Sequence, residues 1–143
     1  MSGLHQWVGI AVLGANGAAG VWGAVAWMRR DPSVWFWYLL RAAQAAVAVQ
    51  VVLGLLLLAR GETAPDGLYV AYGVAPLLIT LFSEGMRLGA AQRELEDVGD
   101  LEALDRSEQV AIARRVALAE MAVMTVGALL ILTLALRAYA TGG

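Results

Sequence analysis

The sequence predicts an all-α membrane protein, a single domain over residues 1–143 that folds as an antiparallel bundle of four transmembrane helices. Composition is the first observation, since 60% of the residues are hydrophobic and the mean hydropathy is +0.68. A soluble domain of this length needs far more polar surface. The second observation is that the apolar residues form four long stretches, with clustered arginines between them. The predicted spans cover residues about 7–28, 36–59, 68–88 and 114–138.

Each stretch approaches the length that a helix needs to cross a bilayer. About 20 residues, each rising ~1.5 Å, traverse ~30 Å of hydrocarbon. Because that layer holds no water, the backbone N–H and C=O groups must pair within the segment. Each span is therefore expected to be an α-helix.

The first span carries glycine at regular three-residue intervals. The N-terminal segment before it lacks the basic residues of a cleavable signal peptide, so we expect this helix to be retained. Small side chains allow transmembrane backbones to approach closely. The glycine face either packs within the monomer, associates with a second copy, or forms a groove for a lipid, a pigment or another subunit. Its residues are Gly14, Gly17, Gly20 and Gly23.

The second span is bounded by residues that are typical of helix ends. Asp31 can cap the helix, and Pro32 suits its first turn, where no amide partner is lost. Gly61 is expected to end the helix, because glycine readily adopts the left-handed conformation of a helix C-terminus. The short turn before Asp31 predicts a hairpin of the first two helices.

The connection between the third and fourth spans is expected to continue both helices as a cytoplasmic hairpin over residues about 89–113. Apolar residues recur at helical spacing as far as Val98, and Gly99 offers a stop. Asp105, with Glu108 three residues later, resembles a capping box that opens the fourth helix. Between residues 87 and 115 five arginines face seven acids, so nucleic-acid binding is not expected. The hairpin is either a solvated stalk or a docking site for a cytoplasmic partner.

The distribution of arginine predicts how the chain sits in the membrane. All ten basic residues are arginine, and eight of them lie in or beside the first and third connections, whereas Arg60 and Arg137 lie on the other side. The positive-inside rule therefore puts both termini outside, in the cytoplasmic membrane of a bacterium. Trp7 marks the outer interface. The inner aromatic belt comprises Trp27, Trp35, Trp37 and Tyr38.

Ionisable residues inside the spans form the first candidate site. They are costly in hydrocarbon and usually face a partner or a cavity. The predicted topology brings them into one shallow layer near the cytoplasmic end, where an arginine between two carboxylates can pair with both. The layer is either an interhelical clamp, a proton or cation site, or a set of side chains that snorkel separately to the interface. Its members are Arg41, Gln44, Ser83, Glu84, Arg87 and Glu120.

Four polar residues near the middle of the spans form a second candidate layer. Such side chains can hydrogen-bond across helices, at about 1 kcal/mol each, and around a common axis they would line a narrow polar path. Pro76 should kink the third helix beside them. The layer consists of Asn16, Gln50, Thr80 and Thr125.

Catalytic and cofactor-binding patterns are not found in the sequence. The chain has no cysteine, which excludes disulfides and thiolate sites, and its single histidine, His5, disfavours multi-histidine metal or haem sites. No phosphate loop or Ser-His-Asp set is present. We therefore expect no catalytic residues, metal or cofactor.

The leading hypothesis is a non-catalytic membrane subunit or scaffold. Its partners would be the lipid bilayer and other membrane proteins, lipid-soluble ligands or further copies of the chain. One alternative is a small ion or proton channel or transporter that uses Glu84 and Glu120, with Arg41 as counter-charge. A second alternative is a protein that binds haem, a quinone or a pigment between its helices.

Overall fold

The computed structural model describes residues 2–62 and 67–142, and in them it contains four long α-helices and no strand. All four helices are long and apolar enough to cross a membrane, as the composition predicts. A short 3-10 helix, Leu101–Ala103, precedes the last of them. The α-helices are α1 (Ser2–Met28), α2 (Val34–Ala59), α3 (Gly67–Leu95) and α4 (Arg106–Gly142).

The helix bounds differ from the sequence pattern at several places, and α4, for example, continues to Gly142, beyond the predicted span. Helix α1 already begins at Ser2, ahead of the predicted span. Helix α3 ends at Leu95 rather than at Val98. The start of α4 agrees with the capping pattern, because the backbone N–H of Glu108 donates to Oδ1 of Asp105 at 2.9 Å.

The end of α1 is closed by a pair of backbone hydrogen bonds. The N–H of Asp31 donates to the carbonyl of Ala26, and the N–H of Arg30 donates to the carbonyl of Trp27, both at 3.0 Å. Such a motif needs a left-handed residue, and Arg30 supplies it with φ of +52°. Arginine is unusual at this position because its Cβ is crowded there.

Helix α2 begins after Ser33, so the expectation that Asp31 caps it is wrong. The Ser33 hydroxyl accepts from the backbone N–H of Phe36 at 3.4 Å. It also accepts from the indole N–H of Trp22 on α1 at 2.9 Å. One hydroxyl therefore satisfies a free helix N–H and joins the first two helices.

The end of α2 follows the expected glycine motif. Gly61 has φ of +89°, where glycine carries no Cβ penalty. The N–H of Glu62 donates to the carbonyl of Leu57 at 3.1 Å, and the N–H of Gly61 donates to that of Leu58 at 3.0 Å. These bonds satisfy carbonyls that the helix end would leave free.

Helix α4 packs along both α1 and α3, and α1 packs along α2, whereas α2 meets α3 over a smaller area. Gly23 of α1 lies against Phe36 near the start of α2, and Gly9 lies against Gln50 near its end. The core lies where α1, α2 and α4 meet. Its buried side chains include Ala26, Phe36, Leu40, Met121 and Met124, with a second cluster at Val12, Val47 and Ile131.

Large apolar side chains also cover the outside of the helices. Trp7 and Phe82, for example, are 71% and 73% exposed. A soluble monomer rarely exposes contiguous apolar surface on this scale. The outward faces are therefore compatible with an integral membrane protein.

Candidate functional site

Glu84 on α3 is the centre of the charged cluster. Its Oε1 accepts from Nη1 of Arg41 and from Nε2 of Gln44, both at 2.8 Å. Its Oε2 accepts from Nε of Arg87 at 2.9 Å and lies 2.8 Å from Nη2 of the same guanidinium. Four donor atoms thus lie close to one carboxylate, and two nitrogens of the Arg87 guanidinium approach the same oxygen, Oε2.

Helical spacing explains why these side chains meet. Arg41 and Gln44 lie three residues apart on α2, and Glu84 and Arg87 lie three apart on α3, so each pair shares a helix face. Nη1 of Arg41 also donates to Oε1 of Gln44 at 2.6 Å. The polar side chains therefore bridge α2 and α3, where the backbones make few contacts.

Arg87, rather than Arg41, lies between the two carboxylates. Its Nη1 is 3.8 Å from Oε2 of Glu120 on α4, and its guanidinium lies 5.5 Å from the centre of the Trp37 ring. The network therefore joins α2, α3 and α4. Two arginines face two glutamates within it, so its formal charges balance.

The two glutamates differ in how many hydrogen-bond donors lie close to their carboxylates. Glu84 has four close donor atoms. Glu120 is 20% exposed, and its charged contact within the described residues is the 3.8 Å approach of Arg87, which is longer than a hydrogen bond. Glu120 is therefore the carboxylate of this cluster that retains free acceptor capacity.

Ser83 makes no hydrogen bond to the other five residues of the predicted cluster within the described part of the chain. It is buried and packs against Gly127 of α4, where a glycine leaves room for it. With Asn16, Gln44 and Thr80 it lines an internal cavity of about 10 Å³. A cavity of this size holds on the order of one water molecule.

Two of the midplane residues bond to their own helices. Asn16, only 2% exposed, donates through Nδ2 to the carbonyl of Val12 at 2.9 Å. Thr80 donates to the carbonyl of Pro76 at 2.8 Å. Both line the small cavity, but neither side chain makes the cross-helix hydrogen bond that the sequence suggested.

The other two midplane residues lie elsewhere in the bundle. Gln50 meets His5 of α1, with 3.2 Å between the two Nε2 atoms. Thr125 is buried against Gly23, and its hydroxyl has no hydrogen-bond partner in the described part of the chain. The four residues therefore do not share one polar path.

The glycines of α1 face different surroundings. A Cβ on Gly23 would lie 2.6 Å from a ring carbon of Phe36, and one on Gly20 would lie 2.6 Å from Cδ2 of Leu129. A Cβ on Gly17 would make an ordinary contact at 3.6 Å, whereas one on Gly14 would meet nothing within 4 Å. Helices α2 and α4 thus occupy the C-terminal half of the predicted face, and Gly14 remains open.

An open groove lies between the end of α3, the 3-10 helix and the start of α4. Its volume is about 370 Å³. Its apolar walls include Leu95, Leu101, Ile112 and Val116, while Glu120 and Gln109 supply polar atoms. Leu101 is 43% exposed in the structure, and no pattern in the sequence predicts the groove.

The groove and the charged network share Glu120, which makes this region the candidate functional site. Leu95 of α3, Leu101 of the 3-10 helix and residues between Gln109 and Glu120 of α4 line the groove, and α2 contributes Arg41 and Gln44 to the network. No protein-family model, no curated protein and no solved structure matches the chain.

Proposed function

We propose that this chain is a non-catalytic integral membrane subunit or scaffold that binds other membrane proteins or lipid-soluble ligands through the hairpin formed by α3 and α4. The single observation that carries the proposal is the groove of about 370 Å³ in that hairpin. Binding sites are commonly concave and mostly apolar, with a few polar groups that orient the ligand.

The glycines of α1 support the choice of the hairpin as the binding surface. Gly20 and Gly23 are covered by Leu129 and Phe36 of the same chain. They are therefore not free to receive a second protein. This favours packing within the monomer over self-association for the part of the face at Gly20 and Gly23.

The charged network supports a fixed bundle more than an ion path. A carboxylate with four close donors must lose several of them before it can bind a proton or a cation. The small cavity lined by Asn16, Gln44 and Thr80 measures about 10 Å³ and does not suit a continuous water file. The ion or proton conduit is thus the less supported alternative.

We propose an antiparallel arrangement with both termini outside and the hairpin in the cytoplasm. Along α1 and α4, Gly17 lies against Leu132 and Gly23 lies against Thr125, so the residue numbers run in opposite directions. Arg114 donates to the carbonyl of Arg30 in the turn between α1 and α2, which leaves the earlier residues of α4 beyond that turn. The arginine bias supports the orientation.

Photo-crosslinking from the hairpin tests the proposed function. A photoreactive phenylalanine derivative in place of Leu101 would lie at the groove, and the same group in place of Leu56 on the outer surface of α2 serves as the control. In native membranes we expect a discrete protein or ligand adduct from Leu101 that the Leu56 variant lacks. A solitary monomer with the same weak lipid adducts at both positions would contradict the proposal.

A further inference from the structure

The walls and the polar end of the hairpin groove restrict what it can bind. Leucine, isoleucine, valine and alanine side chains form most of its surface. Gln109 has its amide nitrogen engaged with the carbonyls of Leu101 and Leu104, at 2.9 and 3.2 Å. Glu120 is therefore the charged group that the groove offers to an occupant.

Glu120 is available because its cationic neighbour is engaged elsewhere. Arg87 makes its short contacts with Glu84, at 2.8 and 2.9 Å, and approaches Glu120 only to 3.8 Å. Arg115, which precedes the groove residue Val116 in the sequence, pairs with Glu94 at 3.6 Å. A carboxylate beside an apolar surface gains most from an occupant that brings a positive charge and hydrogen-bond donors.

The charged residues around the groove add an electrostatic field of the same negative sign as the Glu120 carboxylate. Residues 87–115 contain seven carboxylates and five arginines, which gives this part of the chain a net charge of −2. Within about 8 Å at physiological ionic strength, such an excess of negative charge favours cations over anions. The charge of the surroundings and the charge of Glu120 therefore select the same class of ligand.

We infer that the groove binds a hydrophobic amine in its ammonium form, with the apolar part of the ligand on Leu95, Leu101, Ile112 and Val116 and its ammonium group on Glu120. A volume of about 370 Å³ suits a small organic molecule rather than a protein helix. This inference rests on the proposed function, since it specifies the ligand class of the same surface.

The experiment uses dansylcadaverine, a fluorescent probe with an apolar ring system and a primary ammonium group. Its emission rises when it leaves water, so binding to the full chain in uncharged detergent can be titrated. We expect saturable binding that weakens at least tenfold with E120Q. The E108Q variant should bind as the unchanged chain does, because Glu108 is exposed on the same helix but does not line the groove.

Two further measurements complete the test: one uses an uncharged probe, and the other uses a variant in which a large side chain fills the groove. N-acetylated dansylcadaverine has no charge and should bind at least tenfold more weakly. The A113W variant places a bulky ring in the groove and should abolish binding of the amine, and because Ala113 is exposed, the substitution does not disturb a buried position. Equal affinity for both probes, or unchanged binding in E120Q and A113W, would overturn the inference. If the amine does not bind but the Leu101 crosslink still forms, this inference fails and the proposed function stands.

Discussion

At the scale of single residues, the absence of a side chain at Gly23 controls how closely α1 approaches its neighbours. The position is enclosed by Phe36 of α2 and Thr125 of α4. A β-carbon there would overlap an aromatic ring that is itself buried. The ring cannot move without disturbing the core around Met121 and Met124.

We expect G23A to lower the free energy of unfolding by about 1–3 kcal/mol, the usual cost of overpacking a well-filled interior. Denaturation of the purified chain by sodium dodecyl sulfate, followed by circular dichroism, measures the change. The matched control is G14A, which adds the same methyl group to the same helix in open space. It should leave stability unchanged or slightly raised, because alanine favours helix over glycine. Equal losses in both variants would contradict the packing role.

Arg87 shows which part of the charged site could not be predicted from the sequence. Matched depth along antiparallel helices indicated that Arg41, Glu84 and Glu120 share a layer. Depth says nothing about how each helix is rotated, so the sequence could not decide which arginine lies between the carboxylates. The stacking of Arg87 on Trp37 and its spacing from Glu84 decide it.

At the scale of elements, the presence of the four helices was predictable and their ends were less so. An apolar stretch of about 20 residues is a strong signal because the bilayer imposes it. Gly61 ends α2 as expected, since glycine at a left-handed position carries its own sequence signal. Arg30 has the same conformation at the end of α1 without any such signal. The cap of α2 is Ser33 rather than Asp31, and the Ser33 hydroxyl also accepts from Trp22, a contact between helices that the sequence does not reveal.

The start of α4 should respond to pH through Asp105. The hydroxyl of Ser107 and the backbone N–H of Glu108 donate to its carboxylate at 2.7 and 2.9 Å, which lowers the pKa of Asp105 below its ordinary value. Because the carboxylate is stabilised in the folded state, its contribution is fully present above the ordinary pKa of about 4. That contribution is lost as the pH falls through the lower, folded pKa.

We therefore expect the first turn of α4 to fray as the pH falls below about 4. A nitroxide attached to V110C, an exposed position one turn further along, reports this as increased mobility in electron paramagnetic resonance. The chain has no cysteine of its own to interfere. In D105N the side-chain oxygen can still accept a hydrogen bond but does not titrate, so the step should disappear. The same step in both chains would assign it to another carboxylate.

At the scale of the whole molecule, the packed bundle and the groove between α3 and α4 are neighbouring parts of the structure. The buried clusters around Phe36 and Val47 and the network around Glu84 hold the four helices in one arrangement. The groove shares Glu120 with this network and is otherwise lined by side chains between Leu95 and Ala117. A ligand there can contact Glu120 without entering the packed bundle. The small and apolar residues of the sequence indicate which faces pack together. The groove depends on where α3 ends, and the sequence pattern predicted that end three residues too far along the chain.

The proposed orientation of the molecule in the membrane can be tested by the accessibility of its two sides. Eight of the ten arginines lie in or beside the two connections assigned to the cytoplasm, and charge near the ends of the spans sets the direction of insertion. We therefore expect E62C to react with a membrane-impermeant maleimide in intact bacterial cells, and E102C to react only after the cells are permeabilised. Both positions are exposed, so their intrinsic accessibility is matched. Each variant removes one carboxylate and no arginine, so the distribution of arginines that drives insertion is unchanged. Labelling of E102C from outside would place the groove on the outer face and would require a ligand that arrives from the surroundings rather than from the cytoplasm.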